Sequence, residues 1–279
     1  MTLTGTIKGL TALILAFSLL LPACAADLND APLPVSLSAA DPAATLIIPV
    51  SRPRMSPDLA LKEYEWRLSA QYVELGETAD TTTITADLPK AEKHGEYRLK
   101  RIYSAPKSLA FKTIGFVGDG FVKTNVIFRL LQSEADHVKK DQPGDTAITS
   151  ANYKFAYKGT EQLNGRTVHV FAIKPRHKRA GLFKGKVYID AYTAAMVRAE
   201  GRIVKSPSVF IKNIEFVQDY AQIGDFNLIS HIHSVADTRL IGEAVVDISH
   251  DNYQIRTREQ VQAAANSPQV ADAGQRGGM

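Results

Sequence analysis

Cysteine and catalytic motifs are scarce in this sequence. Its 279 residues contain one cysteine, Cys24, so no intrachain disulfide can form and an apolar core must stabilise the fold. No G-x-S-x-G, H-E-x-x-H, P-loop or dinucleotide-binding motif occurs. Ser104 and Lys107 have the S-x-x-K spacing, but Pro106 and the preceding strand are incompatible with the helix start that this chemistry needs. With acids also dispersed, the sequence predicts neither an enzyme nor a cofactor.

Long apolar runs are absent except near the N-terminus. Lys8 is the only charge before Asp27, and the segment from Leu10 to Leu21 is almost entirely apolar. A positive start, about a dozen apolar residues and a small-residue exit are typical of a secretory signal peptide. The run is shorter than the roughly 20 residues of a spanning helix. We therefore expect residues 1–25 to be a signal peptide and the chain to be exported.

Two interpretations of the signal's end are open. Leu21, Ala23 and Cys24 match a lipobox, in which the cysteine thiol takes a diacylglyceryl group, whereas Pro22 departs from that pattern. The alternative is ordinary cleavage at the A-x-A-like sequence Ala23-Cys-Ala25. Cys24 is therefore a candidate lipid-attachment site. The exported product is either anchored to a cell-envelope membrane or free in the periplasm.

The composition of the remaining chain indicates a leader, one domain and a tail. Repeated prolines in residues 26–55 predict an extended leader or tether, and the sparse apolar content of residues 258–279 predicts a disordered tail. Residues 56–257 are long enough for one substantial domain. The net charge of +4 is mild. Together with the absence of a nucleic-acid motif it excludes nucleic acid as the expected partner and suits an anionic membrane surface.

Two helices are predicted within the domain. Ser56, Pro57 and Asp58 give an N-cap, a proline at the first helical position and an early acid, and they begin a helix over 57–70. In the second, over 122–139, the apolar residues recur every four positions and form one stripe.

Most of the remaining domain predicts β-strands separated by turn residues. The expected strands cover 78–88, 95–104, 109–117, 148–158, 166–174, 183–190, 194–204, 208–218, 226–236 and 240–249. The last six follow one another through short joins, which predicts an antiparallel meander because parallel pairing needs long crossovers.

The alternation within these strands predicts a sheet with one apolar face. Arg198, Glu200 and Arg202 share one face of their strand, opposite an apolar face. Two helices are too few to cover ten strands, so the sheet must curve on itself. We expect a mainly β, strongly curved antiparallel incomplete barrel with two covering helices.

Three segments resemble the outer-membrane lipoprotein-sorting family, the LolA-like periplasmic carriers. They are Leu163–Pro175, Phe183–Asp190 and Met196–Gly201, and similarity continues through Phe216–Tyr220 and Ile241–Ala244. The resemblance implies an incomplete antiparallel barrel whose concave apolar cavity, covered by helices, binds acyl chains without catalysis. A lipid or acylated protein is thus the expected partner. The alternative is a sensor or protein-interaction module of the same fold. The oligomeric state is not predicted.

Apolar residues of the expected concave face are the candidates for the ligand cavity. They are Val126, Leu130, Val197, Ile203, Leu240, Ala244, Val246 and Ile248.

Two polar features have competing interpretations. The basic segment containing Lys174, Arg176, Lys178 and Arg179 either contacts lipid headgroups or is a solvated hairpin tip. The His231-x-His233 pair has a spacing that can bind metal, with His250 as the third candidate ligand, but two histidines on an exposed sheet face are more often solvated side chains without a metal. We predict no metal site.

Overall fold

A computed structural model describes residues 53–140, 144–206, 211–239 and 241–266. The signal segment, Cys24, Leu240 and all of the leader before residue 53 lie outside this part of the chain. Among the described residues, no helix combines the length and the apolar character needed to cross a bilayer.

Ten β-strands make up one sheet. They are β1 (Leu75–Leu88), β2 (Lys93–Ser104), β3 (Ser108–Gly118), β4 (Tyr153–Leu163), β5 (Arg166–Pro175), β6 (Phe183–Asp190), β7 (Met196–Ile203), β8 (Ile211–Ile223), β9 (Phe226–Thr238) and β10 (Glu243–Thr257). The helices are α1 (Pro57–Glu74), α2 (Gly120–Val122), α3 (Phe128–Lys140) and α4 (Arg258–Asn266), with a π-helical turn at Lys123–Ile127 and a 3-10 turn at Pro89–Ala91.

The sheet is an antiparallel meander whose ends do not meet. Its strand order is β3-β2-β1-β10-β9-β8-β7-β6-β5-β4, so β3 and β4 are edge strands. Among the described strands, β1 and β10 are the neighbours that are not consecutive in the chain, and the chain passes from one edge of the sheet to the other between β3 and β4. The predicted fold class is confirmed: the sheet is open, antiparallel and accompanied by few helices.

Strong curvature of the sheet follows from its contacts. Arg101 of β2 and Met196 of β7 line the same small cavity. Five inter-strand steps separate these strands, which would place them about 24 Å apart in a flat sheet. The sheet therefore bends around its apolar face, here named the covered face, and leaves an outer face toward solvent.

Helix α1 begins where the sequence predicts. The backbone N–H of Leu59 donates to the Ser56 side chain over 3.3 Å, and Pro57 occupies the first turn. Of its 18 residues, only Ala60 and Tyr64 are buried. The helix thus lies on the covered face with a shallow interface.

The second predicted helix is interrupted by the π-helical turn. The side chain of Asp119 accepts from the Phe121 N–H over 2.7 Å and caps its start. The expected apolar stripe is buried, as its members Val126 and Leu130 show. Lys123, within the turn, places its Nζ 4.9 Å from the centre of the Phe116 ring.

Two apolar clusters occupy the covered face. The larger combines Tyr64 of α1 and Leu130 of α3 with strand residues that include Ile84, Leu99 and Val246. The smaller contains Leu75, Tyr103, Leu109 and Phe226.

Two segment predictions are wrong. The fourth strand is β4, about five residues later than expected, because the Thr149 carbonyl accepts the N–H groups of Asn152 and Tyr153 in a turn. Residues 258–266, expected to be disordered, form α4. Its start is held by Arg258, whose guanidinium donates to the carbonyls of Tyr72 and Leu75.

Candidate functional site

A cavity of about 80 Å³ lies beneath the C-terminal half of α1. Its apolar wall consists of Leu68 and Leu75 together with Met196, Leu228 and Ile229 of the sheet. The volume is well below the roughly 300–1,000 Å³ of typical small-molecule pockets. A longer ligand can therefore enter only if α1 moves.

Tyrosine rings add neutral surface to the cavity. The Tyr253 hydroxyl donates to the Ile229 carbonyl over 2.6 Å, and Tyr220 accepts from the Gln218 amide over 2.8 Å. Burial raises the pKa of Tyr64, Tyr220 and Tyr253 above the ordinary value. All three side chains therefore stay uncharged at neutral pH.

Helix α1 is fastened over the cavity by Gln71. Its side-chain oxygen accepts the Asn227 N–H over 2.8 Å, and its amide nitrogen donates to the Asn227 carbonyl over 3.4 Å. Near the other end of the helix, the Met55 N–H donates to the Ala191 carbonyl over 2.8 Å. Between these points the Glu65 carboxylate accepts from the Ser150 hydroxyl over 2.7 Å, and beyond Gln71 the Arg258 guanidinium donates to the Tyr72 carbonyl.

A buried ionic cluster forms the polar end of the cavity. The Nε and Nη2 of Arg101 both lie 2.8 Å from Glu134 Oε1, and its Nη1 lies 3.5 Å from Asp80 Oδ2. The Asp80 Oδ1 is 3.0 Å from His250 Nδ1 and accepts from the Thr82 hydroxyl over 2.6 Å. The side chains of Asp80, Arg101 and His250 are at most 4 % exposed.

Asp80 and Arg101 keep their charges despite burial. Burial alone raises the pKa of Asp80, but the hydrogen bond from His250 and the charge of Arg101 outweigh it, so this pKa lies below its ordinary value. Burial lowers the pKa of Arg101, whereas Glu134 and Asp80 raise it further, and the net shift is upward. Asp80 and Arg101 therefore remain ionised at neutral pH.

The ionic cluster bounds the apolar surface beneath α1 because of where it lies in the fold. It sits on the covered face between the larger and the smaller apolar clusters, and Glu134 reaches it from α3. Apolar surface beneath α1 is consequently bounded by charge on one side. An apolar chain bound there would extend away from Arg101.

The sequence-predicted cavity residues lie mostly in the core. Six of them belong to the larger cluster or pack against it: Val126, Leu130, Ile203, Ala244, Val246 and Ile248. None of the six lines the cavity beneath α1. The alternation correctly assigns these six residues to the covered face, but their side chains pack in the core and do not line a cavity.

Val197 is placed on the wrong face by the sequence prediction. Tyr188 pairs with Arg198 and Ile189 with Met196, so Val197 is the extra residue of a β-bulge. It packs with Val168 and Val170 in a separate cluster. The bulge reverses the alternation at this point.

The basic segment is partly engaged within the chain. Arg179 pairs with Asp145 over 2.8 Å, and Arg176 donates to the Ser150 carbonyl over 2.8 Å. Lys174 and Lys178 are exposed. Headgroup contact by these four residues stays a prediction.

The histidine pair binds a carboxylate. His233 Nδ1 and His231 Nε2 lie 2.8 and 3.4 Å from the same Asp247 oxygen on the outer face. His250 does not join them, because it faces the ionic cluster. No group of three metal-ligating side chains suited to an ion occurs in the described ranges.

The ionic cluster of Asp80, Arg101, Glu134 and His250 is not predicted from the sequence. The strand containing Arg101 shows Tyr97, Leu99 and Tyr103 at the same phase, so this alternation could have assigned Arg101 to the covered face. Asp80 likewise shares the phase of Ile84. Nothing in the sequence indicates that Glu134 pairs with either residue.

No family model matches the sequence, and no curated protein does so either. Solved structures do match. An outer membrane lipoprotein-sorting protein domain from Vibrio parahaemolyticus is 13% identical, with 72% of this chain and 94% of that chain covered and a TM-score of 0.37. A LolA superfamily protein from Nitrosomonas europaea is 10% identical, covering 72% and 94%, with a TM-score of 0.35.

Another similar structure is MucB in complex with MucA, from Pseudomonas aeruginosa. It is 10% identical, with 73% of this chain and 97% of that chain covered and a TM-score of 0.24. These similarities concern the fold alone.

Proposed function

We propose that this chain is a non-enzymatic cell-envelope protein that binds an acyl chain of a lipid or lipoprotein beneath α1. The apolar wall of the cavity, formed by residues such as Leu68, Met196 and Ile229, carries the proposal. Burial of an acyl chain there gains about 0.8 kcal/mol per methylene. The charged end at Arg101 limits how far the chain extends.

Access requires α1 to lift. The cavity of about 80 Å³ is too small for a long acyl chain, so its occupant must displace the helix from the sheet. Lifting α1 would break the bonds of Gln71 and Glu65 and expose Ala60 and Tyr64, and burial of the acyl chain must offset this cost. Helix α1 is accordingly the lid of the proposed site.

In the cell, the proposal places the domain outside the cytoplasm. A signal peptide over residues 1–25 exports it, and Cys24 either anchors it or is removed. The intact mass of the membrane-derived mature protein separates these products, because diacylglyceryl attachment adds mass at Cys24.

Fluorescent fatty-acid binding and displacement tests the function. We expect saturable binding to the mature protein and weaker binding to Ala195→Leu, whose added carbons would fill the cavity. Ala156→Leu on the exposed surface of β4 is the matched control. Absence of saturable binding to the wild-type protein contradicts the proposal.

The second candidate is a protein-interaction module of the same fold. The small cavity and the filled positions of the six predicted lining residues favour it. It predicts no displaceable fatty acid and a stable complex with an envelope protein.

A further inference from the structure

The edge strand β3 has a free backbone edge. It pairs with β2 along one side and has no strand on the other within the described ranges. Its 11 residues include the exposed side chains of Ile114 and Val117, at 56% and 74% exposure. Ile114 is the extra residue of a β-bulge, because Arg98 pairs with Gly115 and Leu99 with Thr113. The backbone on either side of this bulge is free to pair with another extended chain.

Three cations lie on the outer face beside this edge. Lys100 of β2 is directly opposite Lys112 of β3, and Arg98 lies two residues before Lys100 on the same face. Like charges directly across two strands destabilise the pair. None of the three forms an ion pair within 4.0 Å with another described residue. Glu96, the acid of this strand face, stands opposite Val117.

The other edge of the sheet also carries an opposed lysine pair, Lys154 of β4 and Lys174 of β5, but the chain itself contacts that edge. On β4 the Thr160 hydroxyl accepts a hydrogen bond from Arg54, which precedes α1. The ring of Tyr157 packs 5.8 Å from that of His169. Arg54 therefore covers part of β4, while α3 packs against part of β3 and leaves Ile114 and Val117 exposed.

We propose that β3 takes up an extended acidic segment of another protein as an eleventh strand. Backbone hydrogen bonds would supply affinity, and side-chain alternation would supply specificity. Acidic side chains of the segment would lie on the outer face beside Lys112 and Lys100. Apolar ones would lie on the covered side beside the partly buried rings of Phe111 and Phe116. The partner is thus an alternating acidic and apolar sequence.

A labelled peptide tests this with the full mature chain. The probe is a fluorescein-labelled decapeptide of alternating valine and glutamate, with binding followed by fluorescence anisotropy at low salt. We expect saturable binding that weakens about tenfold in the Lys100→Gln/Lys112→Gln double variant. The matched control, Lys154→Gln/Lys158→Gln on β4, should bind as wild type does. Circular dichroism and thermal melting confirm that both variants fold.

Two further peptides test the mode of binding. A valine–lysine peptide should not bind, and a valine–glutamate peptide with alternate N-methylated amides should lose binding because it cannot complete a ladder. Equal binding by the N-methylated peptide, or by the Lys100 and Lys112 variant, overturns the proposal.

Other occupants of the edge give other results. Dimers in sedimentation analysis that the Lys100→Gln/Lys112→Gln substitutions alter, with no peptide binding, would assign the edge to a second copy and overturn the proposal. Binding to phosphatidylglycerol vesicles through the same lysines, again without peptide binding, would assign it to a membrane and overturn it as well. These readouts are independent of the fatty-acid assay.

Discussion

The side chain of Gln71 pairs with the backbone of Asn227 through both of its amide atoms. Its oxygen accepts the Asn227 N–H over 2.8 Å, and its nitrogen donates to the Asn227 carbonyl. Because Gln71 lies on α1 and Asn227 on β9, this pair joins the lid to the sheet at the rim of the cavity.

Gln71→Ala should loosen α1 without unfolding the domain. Loss of the paired bonds should lower the free energy of unfolding by about 1–2 kcal/mol. Hydrogen exchange of the α1 amides should accelerate more than that of the strands. Gln132→Ala is the control, since the exposed Gln132 donates to Asp136 within the same helix, α3. Equal exchange rates in wild type and Gln71→Ala would disprove this role.

Glu134→Gln should destabilise the protein strongly. It removes a charge from the buried pair with Arg101, which costs about 3–5 kcal/mol when one partner of a buried pair is lost. Glu63→Gln breaks a solvent-accessible pair with Arg67 and should cost less than about 0.5 kcal/mol. Urea unfolding measures both values. Similar losses for the two variants would contradict the structural role of the ionic cluster.

Low pH should remove the contribution of Asp80 to the free energy of unfolding. Because its pKa is lower in the folded protein than in the unfolded chain, its stabilisation is complete above pH of about 4 and is lost as pH falls below that value. The difference in unfolding free energy between wild type and Asp80→Asn should therefore shrink between pH 5 and pH 2.5, to be measured by urea unfolding. A constant difference over this range would refute the assignment.

Gly185→Ala should be poorly tolerated. An added Cβ would lie 1.9 Å from the Glu200 carbonyl oxygen of the neighbouring strand, so β6 and β7 would have to separate. Gly115→Ala on β3 meets nothing within 4 Å and serves as the control. We expect a large fall in melting temperature for the first and little change for the second. Equal changes in melting temperature for the two variants would show that β6 and β7 can separate without cost and would contradict this prediction.

The sequence predicts the strands better than the site. Alternation in β10 correctly assigns Ala244, Val246 and Ile248 to the covered face. It fails at Val197, where the β-bulge adds one residue and reverses the phase. A one-residue irregularity changes every assignment beyond it, and single-sequence periodicity does not reveal where it occurs.

Contacts between residues far apart in the sequence explain why the cluster and the cavity could not be predicted. Arg101 and Glu134 are 33 residues apart, and Asp80 and His250 are 170 apart. Strand phase can show that Arg101 faces inward, but only the three-dimensional packing brings α3 over it. The cavity beneath α1 likewise depends on how β7, β8 and β9 curve toward that helix.

Photo-crosslinking tests the central claim, an acyl chain bound beneath α1, most directly. A fatty acid with a diazirine near the methyl end is irradiated with the mature protein, and labelled peptides are mapped by mass spectrometry. We predict labels around Met196 and at Leu228 and Ile229, removed by competing fatty acid and reduced in Ala195→Leu. Labels confined to exposed side chains such as Trp66, unaffected by competitor, would contradict the proposed site.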